Sequence, residues 1–228
     1  PDLLPHPATL SHYKEVLMGN FPAYIRNSML VTFFSCAISL ALGIPAAYGF
    51  AKYATEKTKP VFAAVTAVRM VPPVAMVIPF FLIIRNIHLS DTLLGLIITY
   101  IPFELTLIIW MLKNFFGQIP REVEEAAELD GANKWQRFRY ITMPFLLPVL
   151  SVVLILQIKN GLTVYDIIVA LTNGGPGGAT ESLSILIYNH GFKEVKFSYA
   201  IAEAIILTIV ICAISFVQTS ISNKKKVY

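Results

Sequence analysis

The sequence predicts an all-α protein, a polytopic transmembrane helix bundle with one charged hairpin held on a single side of the membrane. Three observations lead there. Of its 228 residues, 56% are hydrophobic and only 14% charged, with a mean hydropathy of +0.66, too apolar for an ordinary soluble domain. Five stretches are apolar over about the 20 residues that a helix needs to cross ~30 Å of hydrocarbon. Lys and Arg fall unevenly on the connections between them.

Read in order, the spans cover residues 27–51, 61–84, 92–112, 141–157 and 198–218, all within a single domain 1–228. The connections 52–59, 113–139 and the tail 224–226 carry eleven Lys and Arg, against five at Lys14, Arg26, Arg85, Lys193 and Lys196. The richer side is therefore expected to be cytoplasmic, with the N-terminus outside and the C-terminus inside. A net charge of +4 raises the question of a nucleic-acid partner. The basic residues sit in short clusters beside apolar runs instead, which is the pattern of a membrane protein and excludes that class.

The spans are interrupted. Pro45, the run Met70 to Pro79 with Pro72 and Pro73, and Pro102 each remove a backbone donor at lipid depth, which is tolerated where neighbouring helices or a wet cavity satisfy the freed groups. Any one of these prolines reads as a packing kink; several together point to a pathway through the bundle. Cys36 and Cys212 lie inside apolar runs, with no His at metal-ligand spacing. They read as packing residues, and neither a metal site nor a catalytic set is expected.

Between the third and fourth spans, residues 118–144 break the apolar pattern. Pro120 suits the first turn of a helix, and Glu122, Glu124 and Glu125 place negative charge at its positive end. Asp130 and Gly131 should stop that helix, because glycine adopts the left-handed closing conformation without a Cβ penalty. Asn133 followed by Gln136 is a capping box for a second short helix, whose Trp135, Phe138 and Ile141 recur on one face. An amphipathic hairpin resting on headgroups is the plain alternative. The first helix is acidic, however, where a headgroup-bound helix usually carries Lys and Arg, so a protein partner is the better reading.

The spacing of Glu125, Ala126, Ala127, Gly131, Ile141, Met143 and Pro144 resembles the EAA loop of binding-protein-dependent ABC importer permeases; Met143 stands where that family usually has Leu. Residues 69–132 look like the shorter permease of the maltose and glycerol-phosphate branch. Residues 166–188, with their Gly-Gly-Pro loop, look like its longer partner, so the chain mixes features of the two halves. The resemblance implies a type I ABC importer permease in the cell membrane of a prokaryote, with six spans, which leaves room for one ahead of residue 1. It also implies that Glu125, Ala126, Ala127, Asp130, Gly131, Ile141 and Pro144 form a coupling hairpin docked on an ATPase subunit. The implied partners are a second permease subunit in a hetero- or homodimer, two ABC ATPase subunits, an extracytoplasmic solute-binding protein and the lipid bilayer. ATP and magnesium would belong to the ATPase, with no cofactor in this chain.

For the solute, the resemblance implies a sugar, oligosaccharide or polyol derivative, and such a pocket combines aromatic faces with amide and hydroxyl partners. Tyr100, Asn160, Tyr165 and Asp166 lie at membrane depth or toward the outer side and are pathway candidates, with packing or interfacial roles as the alternative. Arg69 and Glu104 fall at ~14 and ~18 Å from opposite faces of the membrane, counting 1.5 Å per residue. Their depths nearly coincide, so they are expected to form an ion pair or to share a wet cavity; the alternative is that each bonds separately to backbone freed by the prolines. Asn173 to Gly178 lacks the Lys-Ser/Thr that a phosphate loop requires, and no zinc helix or nucleophile elbow is present. The chain therefore reads as non-catalytic. A membrane scaffold and a passive channel remain as competing classes.

Overall fold

The computed structural model describes residues 9–172, 174–175 and 180–224. Helix α1 (Ser11–Met18) precedes α2 (Phe21–Lys52), a 32-residue helix that runs through Pro45 without breaking. Then come α3 (Thr58–Ala67), a 3₁₀ turn at Val68–Met70, and α4 (Pro73–Asn86). Helix α5 (Leu93–Phe116) opens on Thr92, whose side chain accepts a hydrogen bond from the Gly95 amide. The charged hairpin is α6 (Arg121–Leu129) and α7 (Lys134–Arg137); a π turn at Phe138–Thr142 continues α7 into α8 (Met143–Thr163). Short α9 (Asp166–Leu171) and α10 (Leu183–Tyr188) fold back at the other end, before a second π turn and α11 (Phe197–Lys224).

Among the described residues, four helical segments are long and apolar enough to cross a membrane: Phe21–Lys52, Leu93–Phe116, Lys134–Thr163 and Phe197–Ser222. The expected single span at 61–84 is instead two legs bent by 104°. Pro72 and Pro73 are the cause. A residue before proline is pushed out of the helical region, and both Val71 and Pro72 are extended, with ψ of 124° and 135°. The fourth segment also starts before residue 141, because the hairpin's second helix runs into it without a break.

Helix α2 packs along α5 and α8 through a seam of small residues. Ser28, Thr32, Ser35, Ser39, Gly43 and Ala47 are all buried and recur every three or four residues, so they share one face. Small residues let backbones approach closely, which is how helices associate where lipid removes the hydrophobic drive. The approach is close enough that a Cβ added at Gly43 would lie 2.5 Å from the Ile108 side chain, and one at Gly161 2.5 Å from Thr32. At the hairpin end, Ala47, Ile108, Leu112, Phe116, Leu146 and Val153 form one apolar core. A second core, around Val31, Leu96, Tyr100 and Ile168, fills the opposite half. Phe33, Ile78 and Phe216 are exposed on the flanks, as lipid-facing residues should be.

Candidate functional site

Where the second apolar stretch breaks, it leaves a cavity of about 270 Å³ against α5 and α8. Arg69, Tyr100, Glu104, Gln157, Asn160 and Gly161 line it. Four of the expected pathway residues are thus brought together. Tyr165 and Asp166 are not among the lining residues: Tyr165 packs its ring 5.0 Å from that of Tyr188, and Asp166 is exposed in the first turn of α9.

Glu104 is buried. Its Oε1 accepts a hydrogen bond from the Ser35 hydroxyl at 2.9 Å, and its backbone carbonyl accepts one from the Gln157 amide at 3.1 Å. Its Oε2 has no hydrogen-bond partner among the described residues. The expected ion pair with Arg69 is not formed. The 3₁₀ turn and the bend after it leave Arg69 exposed, with its guanidinium 5.3 Å from the centroid of the Trp110 ring. The shared-cavity alternative describes the arrangement. Ser35 and Gln157 escaped the sequence reading, although the recurrence of Ser28, Thr32, Ser35 and Ser39 along one face of an apolar span was a visible signal. The cavity therefore offers a carboxylate, two amides, a phenol and, at its rim, a guanidinium. This set is able to hydrogen-bond a polar solute and holds no nucleophile–base pair among the lining residues. No group of three His, Cys, Asp or Glu side chains among the described residues is placed to hold a metal ion.

The hairpin follows the C-terminal end of α5, beyond the mid-helix residues that line the cavity. Gly131 has φ of +84°, and the Ala132 amide reaches back to the Ala127 carbonyl at 2.9 Å, closing α6 as a left-handed glycine does. Asn133 and Gln136 complete both halves of the capping box, at 2.9 and 2.8 Å. Pro120 sits at the N-cap, one position before the first turn. An ion pair between Arg137 and Glu128 ties the two short helices together, and Lys52 at the end of α2 bonds Glu124 at 2.6 Å.

Of the expected coupling residues, Glu125, Ala126, Asp130 and Gly131 are exposed. Ala127, Ile141 and Pro144 are half-buried, the last two at the junction with α8. Large apolar side chains accompany the exposed set: Leu129 is 90% exposed, Tyr140 74% and Trp135 68%. Such a surface, acidic and apolar together, suits a protein cleft. The Gly-Gly-Pro turn lies mostly outside the described residues; Gly174 and Gly175 within it have positive φ.

Comparison with known proteins gives the same direction. The family model of the binding-protein-dependent transport system inner membrane component matches residues 39–227. The multiple sugar-binding transport system permease protein MsmF of Streptococcus mutans is 47% identical over 109 residues, which is 48% of this chain and 38% of that protein. The trehalose transport system permease protein SugB of Mycobacterium tuberculosis is 35% identical over 147 residues, 64% of this chain and 54% of that protein. The chain thus spans about half or less of these relatives' length. Among solved structures, a bacterial alginate ABC transporter in complex with an alginate pentasaccharide-bound periplasmic protein superposes with a TM-score of 0.79 at 20% identity, over 97% of this chain and 85% of that chain. At that identity the likeness is one of fold.

Proposed function

The chain belongs to the family of binding-protein-dependent transport system inner membrane components, and on that premise we propose that it is the permease subunit of an ATP-driven importer of a sugar or related solute. The observation that carries the reading is the hairpin: Glu125, Ala126 and Gly131 are presented outward on a turn fixed by a positive φ and a capping box. A helix bundle has no structural need for such a feature, whereas docking on a separate ATPase requires it. The proposed partners are two ATPase subunits, which bind ATP and magnesium, a second permease subunit, and a binding protein that delivers the solute from outside. The chain's N-terminal side faces outward and its C-terminus inward, with the hairpin on the side whose connections together are rich in Lys and Arg, the cytoplasm.

The cavity around Glu104 is the part of the translocation pathway contributed by this subunit. Its neutral amides, phenol and carboxylate suit a polyhydroxylated solute, and the names of the sugar and trehalose permeases among the relatives support that class. Alternating access follows when ATP binding by the partners moves the hairpin and exposes the cavity to the other side, which requires contacts that differ between the two states.

The test is reconstitution of the permease pair with the ATPase and the binding protein in proteoliposomes, using a solute retained by the binding protein. Uptake that depends on ATP and on the binding protein is expected. Uptake without ATP would make the chain a passive channel. ATPase binding with neither uptake nor stimulated hydrolysis would make it a scaffold.

A further inference from the structure

Glu124 and Glu125 are adjacent acidic residues on one short helix and both line the cavity between it and the ends of α2 and α5, yet of the two only Glu124 is ion-paired among the described residues. Glu125 is exposed, while the side chain of Glu124 is only 17% exposed and is bound to Lys52, itself 18% exposed. Lys52 is the last residue of α2 and Glu124 lies in the first turn of α6. A cation at the negative end of one helix therefore meets an anion at the positive end of another, so both helix dipoles favour the pair.

Along the chain, the hairpin is joined to α5 and to α8, but not to α2, which lies 72 positions away across this bond. Beside the pair, a cavity of about 380 Å³ separates α6 from the ends of α2 and α5. On this side the link to α2 is an ion pair and not packed side chains. One turn before Lys52, Tyr48 sets its ring edge-on against Phe138 of the second hairpin segment, 5.8 Å between centroids, and against Phe116 at 5.3 Å. Both arms of the hairpin are thus fastened to α2.

We propose that Lys52 and Glu124 are a positioning pair, a strut that carries movement of the coupling hairpin straight into α2, while Glu125 is left to face the ATPase. The proposal rests on the importer reading above and gives three of the four acidic residues of α6 separate roles. Glu124 holds inward, Glu125 docks outward, and Glu128 braces the hairpin through Arg137.

The experiment uses the complete transporter in proteoliposomes and counts solute moved per ATP hydrolysed, alongside membrane abundance and ATPase co-purification. Lys52→Met and Glu124→Gln are expected to keep the ATPase bound but to lower solute per ATP by about fivefold or more, the lower end of ordinary coupling energies. The charge exchange Lys52→Glu with Glu124→Lys is expected to restore part of it, since the pair re-forms but both helix dipoles then oppose it. Loss of ATPase binding in Glu124→Gln would overturn the proposal by making Glu124 a docking residue. Unchanged solute per ATP in both single variants would overturn it too. If the single variants are poorly inserted, Lys52→Cys with Glu124→Cys joined by a short reducible cross-linker decides. A strut that stays closed through the cycle supports transport when cross-linked; transport restored only on reduction would mean that the pair must open. A wild-type transporter without ATP-driven uptake would defeat the importer reading itself, a result separate from any of these.

Discussion

Replacing Gly131 by Val isolates backbone conformation from sterics. A Cβ at this position would meet nothing within 4 Å, so the added side chain has space, but φ is +84°. A left-handed backbone costs an ordinary L-residue roughly 1–2 kcal/mol, and a β-branched one lies toward the upper end. Against that strain stand the hairpin's own fastenings. The capping box contributes about 1 kcal/mol, and an exposed ion pair such as Glu128 with Arg137 is worth about 0–1 kcal/mol. The two sides are comparable, so the turn is expected to rearrange in a large fraction of molecules while the buried bundle stays folded. A strain of ~1.4 kcal/mol corresponds to a tenfold shift in that local equilibrium. The assay is ATPase co-purification and ATP-driven uptake at matched membrane abundance. Activity is expected to fall in the order wild type, Gly131→Asn, Gly131→Ala, Gly131→Val, because Asn visits the left-handed region readily. Wild-type activity in both Gly131→Val and Gly131→Asn would refute the claim that the turn's handedness sets the docking surface. Equal loss in both would show that any side chain is excluded, for a reason outside backbone strain.

Arg69→Ala and Trp110→Leu are expected to impair uptake alike and non-additively, because they remove the same cation–π contact, worth about 0.5–1 kcal/mol at an exposed site. Arg69→Ala and Glu104→Gln are expected to add, since no ion pair joins them; sub-additive defects in uptake would revive the pairing. Gly161→Val should lower the melting temperature in detergent, because its Cβ would fall 2.5 Å from Thr32 Oγ1 and overpacking of this kind costs typically ~1–3 kcal/mol. Thr32→Ala in the same chain should recover part of that loss. Val195→Asn should raise the melting temperature slightly, since Val195 is held at φ of 58°, where a β-branched residue is strained by roughly 1–2 kcal/mol; an unchanged or lower value would mean that the turn does not hold that conformation.

What could be read beforehand depended on whether the signal was local. The apolar stretches, the Pro120 start, the Gly131 stop and the Asn133–Gln136 box are each fixed within a few residues of themselves, and helices and caps lie where those residues require. Pro72 and Pro73 also announced a break. Its angle of 104° did not follow, because it depends on what α3 and α4 pack against. Depth counting placed Arg69 and Glu104 at one level but assumed straight helices, and the bend turned Arg69 to Trp110. Glu104 found Ser35, 69 positions away, a partner that only the packing of α2 on α5 supplies. Tyr165 and Asp166 were chosen for depth as well, and the fold-back of α9 and α10 draws Tyr165 toward Tyr188 and leaves Asp166 exposed.

The cavity and the hairpin lie at different levels of the bundle, and three helices join them. Helix α2 carries Ser35 at the cavity and Lys52 at the hairpin, about 17 residues apart, or ~26 Å at 1.5 Å per residue. Helix α5 carries Glu104 and, ~18 Å further on, Phe116, where the chain leaves for the hairpin. Between these ends the helices touch at Gly43 and Ile108, where a Cβ on residue 43 would lie 2.5 Å from the Ile108 side chain. A contact so tight resists sliding, because interiors at close-packed density rearrange between discrete arrangements and do not deform smoothly. On the importer reading, displacement of the hairpin is therefore expected to move α2 and α5 together and to keep the Ser35–Glu104 bond intact. Helix α8 is joined differently. It meets the hairpin through the π turn at 138–142 and contains Pro148, and both features weaken its hydrogen-bond ladder. Its far end, however, is locked to α2 at Gly161 and Thr32, where a Cβ on residue 161 would fall 2.5 Å from the Thr32 side chain. The bond between Gln157 and the Glu104 carbonyl, one turn from that contact, is therefore expected to hold while the strain of a hairpin movement falls on the π turn and Pro148.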